Sequence, residues 1–253
     1  MPDPMLAFNP FKRTSTGVGN TLEDVGDPII DAHRGVTQIV FELENESAAT
    51  ALADFALLVR PHAEASWQTL ISGATWGTVA GILKKYLGAL NTLAAAGKAL
   101  AYVDIGPVNA FKFQAKVGST TVLTNGTFTG NANSWTLGAD WTYGANAVAA
   151  VAADTTLKQA KADMGTPWTS GVVYEVIFTI SGYAAGSLQV GTNTDPEQKA
   201  AAITADGTYT VKVTADAHAD GLVFTGTGFT GTIDTISATP CSPVTIVGNG
   251  YRG

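Results

Sequence analysis

From Thr37 onward apolar and polar residues alternate, with Ile39, Phe41 and Leu43 on one side and Gln38, Val40 and Glu42 on the other. A period of two puts successive side chains on opposite faces, so this run predicts a strand with one face in a core. Glu44-Asn45-Glu46-Ser47 supplies turn residues. Ala53, Phe55, Leu57 and Val59 then form a second such face, which Pro61 ends. The spacing changes across Trp76, Val79, Leu83, Tyr86, Leu87 and Leu90. These recur at helical intervals and predict one helix over roughly 76–95, although Gly77, Gly81 and Gly88 each weaken it by about 1 kcal/mol relative to alanine. Alternation returns at Leu100, Tyr102 and Asp104. In the next run Phe111, Phe113, Ala115 and Val117 face inward while Lys112, Gln114 and Lys116 face out.

A second module begins near residue 121. Tyr174, Val176, Phe178 and Ile180 point one way and Glu175, Ile177 and Thr179 the other, so both faces carry apolar residues, as in a central strand. Short runs follow at Leu188/Val190, Tyr209/Val211/Val213, Leu222/Phe224 and Ile233/Ile236. Ser181-Gly182, Asp206-Gly207 and Asp220-Gly221 read as the turns between them. The expected architecture is mainly β: an extended arm over 1–35, a small β-sandwich with one inserted helix over 36–120, a jelly-roll sandwich over 121–240, and a tail over 241–253.

The two ends lack either hydrophobic period and are rich in Pro and Gly. Such ends stay disordered unless tied down. They are expected to lie on partner subunits, the alternative being that they pack on their own domain. Composition supports an assembly. Only 14% of the 253 residues are charged and 45% are hydrophobic, against about 25% charged in an ordinary soluble domain. The surface is therefore built largely of Thr, Ser, Asn and Gly, which suits coverage by neighbours.

Charge and motifs narrow the chemistry. The net charge is −7 and no basic run exceeds Lys84-Lys85, which argues against a nucleic-acid partner. No apolar run reaches the ~20 residues of a membrane span, and the first ten residues do not read as a signal peptide. A single cysteine, Cys241, excludes internal disulfides. The three histidines, His33, His62 and His218, lack a nucleophile in a suggestive context, and no G-x-S-x-G occurs. Gly17-Val18-Gly19-Asn20 lacks the rest of a dinucleotide fingerprint. No enzyme is expected. The candidate site is aromatic: Trp135, Trp141, Tyr143 and Trp168 fall near predicted strand edges and loops of the second module. Flat rings there can stack on the apolar C–H faces of sugars, or else belong to the core.

Thr124-Asn125-Gly126-Thr127-Phe128, Trp135-Thr136, Trp141, Tyr174 through Gly182, Gly207-Thr208-Tyr209-Thr210, Leu222-Val223-Phe224 and the closing Gly231-Thr232-Ile233-Asp234-Thr235-Ile236-Ser237 together resemble the carbohydrate-binding-module jelly rolls found in tailed-phage structural proteins. The resemblance covers nearly half the chain and carries no catalytic signature. It implies a structural calcium with Asp234 as one ligand. The acidic residue expected just after N-G-x-F is missing, since Thr129 follows Phe128, so other oxygens would have to come from backbone carbonyls and turn aspartates; no other cofactor is implied. Phe41 through Ser47 and Asp104-Ile105-Gly106-Pro107-Val108 are similar in style to small sandwich domains of phage virion proteins.

The resemblance implies a non-enzymatic structural protein of a tailed-phage particle, made in the host cytoplasm and carried in the virion. It would decorate or cement the capsid through its arm and first domain while the jelly roll projects. Its partners would be other virion proteins, the major capsid protein foremost, and further copies of itself. The alternative is a tail-associated receptor-binding adhesin whose jelly roll recognises a cell-surface glycan.

Overall fold

The computed structural model describes residues 6–19, 22–30, 36–46, 51–72, 83–87, 97–105, 108–118, 120–192, 199–218 and 220–252. The chain divides into two units: unit 1 is Met1–Ser119 with Cys241–Gly253, and unit 2 is Thr120–Pro240. Nearly all regular structure is β, in antiparallel sandwich-like arrangements.

Unit 1 contains β1 (Leu6–Val18), β2 (Glu23–Asp24), β3 (Ile29–Ile30), β4 (Val36–Asn45), β5 (Leu52–Arg60), β6 (Gln68–Ser72), β7 (Leu83–Leu87), β8 (Lys98–Asp104), β9 (Ala110–Val117) and β17 (Ser242–Arg252). One sheet has the order β1-β17-β4-β8-β7; the other runs β2-β9-β5-β6, with β3 also on β9. The alternation in β4 and β9 sends Ile39, Phe41, Leu43, Phe111 and Phe113 into one core with Phe55 and Leu57. Its centre is aromatic. Phe41 and Phe113 lie 4.8 Å apart, and Phe55 stacks on Phe113 at 5.7 Å. A register shift between Leu52 and Asp54 turns Ala53 outward, so Leu52 takes the buried place that alternation gave to Ala53.

The described parts of both chain ends are strands of this unit, which corrects the reading of an arm and a tail. β17 lies between β1 and β4, with Val244 and Ile246 fully buried, while Phe11 and Val18 of β1 also enter the core. Each end supplies the pairing partner that the other lacks, so neither needs a neighbouring subunit to be ordered. The expected helix lies mostly outside the described residues. Its described part, Leu83–Leu87, is instead a strand on β8.

Unit 2 contains β10 (Thr136–Leu137), β11 (Trp141–Gly144), β12 (Ala147–Ala153), β13 (Thr156–Gln159), one 3-10 turn (Lys161–Asp163), β14 (Val173–Gly191), β15 (Gly207–Thr214) and β16 (Leu222–Pro240). β14 and β16, each 19 residues long, pair with one another along most of their length. β16 uses its other edge for β13 and then β12. The sequence suggested four short strands here, with a turn at Ser181-Gly182. The structure has two long bent strands with register shifts between Ser181 and Ser187.

The bend requires glycine. Gly186 (φ +73°) and Gly228 (φ +56°) face one another so closely that a methyl group on Gly186 would collide with the Gly228 carbonyl. Gly186→Ala combines a left-handed backbone with this overlap and is expected to cost on the order of 3 kcal/mol. Denaturant unfolding of unit 2 checks it.

The two motifs that bracket unit 2 meet in space. Gly126 accepts a hydrogen bond from Ile236 N–H (2.8 Å), and Phe128, fully buried, packs on Trp135 at 5.3 Å. The Gln159 side chain bonds both the N–H and the carbonyl of Thr124, holding the opening turn against β13.

Candidate functional site

Three of the four candidate aromatics belong to the core of unit 2. Trp135 is 7% exposed and donates from Nε1 to the carbonyls of Thr124 and Asn125 (3.2 and 3.1 Å). Trp141, first residue of β11, lies on Phe229 with ring centres 5.9 Å apart. Trp168 stacks almost parallel on Tyr174 at 4.7 Å and 9°. Trp141 and Trp168 are each 3% exposed. Neighbouring side chains thus take up the stacking faces that a sugar would need, and of the two places the sequence left open for these rings, sugar platform or core, they occupy the core.

Tyr143 is different. It stands on the β11–β12 hairpin, 37% exposed, and its hydroxyl donates to Asn146 Oδ1 (3.4 Å). Ala145 and Asn146 both have positive φ (52° and 62°), as a two-residue type I′ turn demands. Asn146 Oδ1 also accepts Gly130 N–H (2.9 Å), so the hairpin tip is tied to the opening loop. Tyr143 therefore keeps an accessible ring, whereas the other three candidate rings are buried.

Asp234, the residue matched to a structural calcium, lies in β16 and uses its carboxylate locally. Its Oδ1 accepts the N–H of Thr235 (2.6 Å), a residue with φ 54°. The carboxylate shapes the kink in β16. Among the described residues no group of three or more His, Cys, Asp or Glu side chains converges to hold a metal ion. His62 and His218 are exposed, and His218 N–H donates to Asp216 Oδ1 (2.9 Å). His33 lies outside the described residues.

One cluster escaped the sequence reading. On unit 1 the guanidinium of Arg60 and the ammonium of Lys112 lie over the ring of Trp67, 5.1 and 5.0 Å from its centre. Lys112 also meets Asp24 at 2.9 Å, and Gln114 Nε2 donates to the same carboxylate (2.8 Å). Strand pairing assembles the group: Leu58 is opposite Lys112, Arg60 opposite Ala110, and Gln114 opposite Asp24. No local motif marks it. The only signal was the outward alternation of Lys112 and Gln114. Elsewhere on unit 1, Lys98 is held above the ordinary lysine value, chiefly by its hydrogen bond to Glu44, an exposed cross-strand pair at 2.9 Å.

No protein-family model matches the chain, and no curated protein sequence matches it. Among solved structures it is similar to the N-terminal CBM22-1-CBM22-2 tandem domain of Xyn10C from Paenibacillus barcinonensis, at 10% identity over 86% of this chain and 79% of that chain, with a TM-score of 0.21. A likeness of that degree leaves fold and ligand to be argued from the chain itself.

Proposed function

We propose that the chain is a non-enzymatic structural protein of a tailed-phage particle, which decorates or cements the capsid through unit 1 and displays unit 2. The observation that carries this reading is the order of the units along the chain. Unit 2 is inserted between β9 and β17, two strands of a sandwich that its own chain ends complete. An insertion of this kind adds a module to a carrier whose fold is closed without it. The low charge supports the same reading, because a chain with only 14% charged residues has few charges to keep its surface free of neighbours. The described part of the N-terminal segment is paired within its own sheet, so attachment falls to the surface of unit 1 rather than to an exchanged arm. The major capsid protein is the partner proposed, with self-association alongside it.

The test is co-sedimentation of the purified full-length protein with isolated capsids and, separately, with isolated tails, alongside its mass in solution by light scattering. Saturable binding to capsids by an oligomer is the expected result. Binding to tails alone would overturn the decoration role and favour the adhesin.

A further inference from the structure

The geometry points to a binding site for an anionic saccharide on the outer face of the second sheet of unit 1, centred on Trp67 and Arg60. This inference does not rest on the particle reading: it concerns what the face recognises, whatever carries it. In β5 and β9, Leu57, Val59, Phe111 and Phe113 are buried in the core, so the alternate residues Arg60, Lys112 and Gln114 project from the other side. Asp24 joins them through its pairing with Gln114. Trp67, just before β6, lies across this face and is partly exposed, whereas Trp135, Trp141 and Trp168 are buried.

Arg60 is the unusual member. Its Nε is buried with no hydrogen-bond partner, and its guanidinium makes one long bond, to Asn109 Oδ1 (3.3 Å). Among the described residues no carboxylate pairs with it. A half-buried cation without a paired acid is completed by an anion; Nε has no exposed surface, so the anion meets the outer N–H groups of the guanidinium, whose planar array of donors matches a carboxylate or sulfate. The chain has only 14 Lys and Arg residues against 21 acids, yet two of the cations meet at this one ring.

A saccharide fits the remaining chemistry. The indole offers an apolar platform for the C–H face of a pyranose. Asn109, Gln114 and the exposed Asp24 carboxylate supply the mixed donors and acceptors that ring hydroxyls need, and Asp24 would repel a second acidic group such as an acidic peptide carries at each residue. The ligand class is therefore a sugar with one anionic substituent per ring, carboxylate or sulfate.

The full-length protein is titrated at low salt with trigalacturonate, with a sulfated galactan trisaccharide, with neutral galactotriose and with a glutamate oligomer of equal charge, read by calorimetry. Binding of one or both anionic sugars, at least tenfold tighter than galactotriose and weakened by salt, is expected; which of the two binds tells carboxylate from sulfate. Arg60→Gln should lower that affinity at least tenfold with the melting temperature unchanged. If Arg60→Gln melts early, Arg60→Lys keeps the charge without the fork and should still lose affinity severalfold. Equal binding of galactotriose or of the glutamate oligomer overturns the assignment, as does the absence of any binding or wild-type affinity in both Arg60 variants.

Discussion

A chain ending at Pro240 is expected to lose the folded state of unit 1 while unit 2 survives. The cut removes β17, which is interior to its sheet, and so breaks the ladders to β1 and β4 together. Val244 and Ile246 are both fully buried, and burial of such side chains contributes about 1.5–3 kcal/mol each. The loss does not stop there. Among the described residues β1 pairs with no other strand, so Phe11 and Val18 leave the core with it. Together these losses approach the ~5–15 kcal/mol that stabilises a whole domain. Calorimetry of the full chain should show two transitions and the truncated chain one. A truncated chain that keeps both would mean that β17 is dispensable and that residues 241–253 are a tail after all. By the same argument, deletion of residues 1–35 does not simply free an arm, since it takes Phe11, Val18, Val25 and Ile29 out of the core.

What the sequence made legible follows from how much each strand buries. β4 and β9 are interior strands with one face in an aromatic core, so their alternation is strict and the sandwich could be read from it. β1 and β17 could not be read so. β1 lies at an edge and carries Pro10 and Gly17, while β17 carries Gly248 and Gly250. Gly248 is there for close packing, because a methyl group would meet the Val40 carbonyl and the Phe11 ring, yet in a sequence it looks like a breaker. The glycines of β14 and β16 mislead in the same way, a bend within a long strand being locally indistinguishable from a turn between short ones. The bracketing motifs of unit 2 were visible because they form one structural feature, the opening turn clamped to the kink in β16. The cation-flanked indole was invisible because Arg60, Trp67 and Lys112 come from three places in the chain and become neighbours only through strand pairing.

Burial decides between the two places the sequence left open for the tryptophans, and with it the expected behaviour of their variants. Had Trp168 been a sugar platform, Trp168→Ala would weaken binding and leave stability alone. In the structure it stacks on Tyr174 and is 3% exposed, so truncation to alanine should cost about 3–5 kcal/mol, part of it the ~0.5–1.5 kcal/mol of the ring pair. Trp168→Phe should be far milder. It keeps a ring against Tyr174 and removes a buried Nε1 that has no hydrogen-bond partner, which offsets some of the lost packing, leaving a change of about 1 kcal/mol. Trp141→Ala should behave like Trp168→Ala, since Trp141 is equally buried against Phe229 and its Nε1 is likewise without a hydrogen-bond partner. Tyr143→Ala provides the contrast, because an exposed hairpin ring should change stability by about 0.5 kcal/mol or less. Urea unfolding of the four variants reads all of this from the unit 2 transition. Wild-type stability in Trp168→Ala would return that residue to the surface and reopen the glycan reading of unit 2; a loss of several kcal/mol in both tryptophan-to-alanine variants, with Tyr143→Ala unchanged, fixes the indoles as the core that lets unit 2 fold.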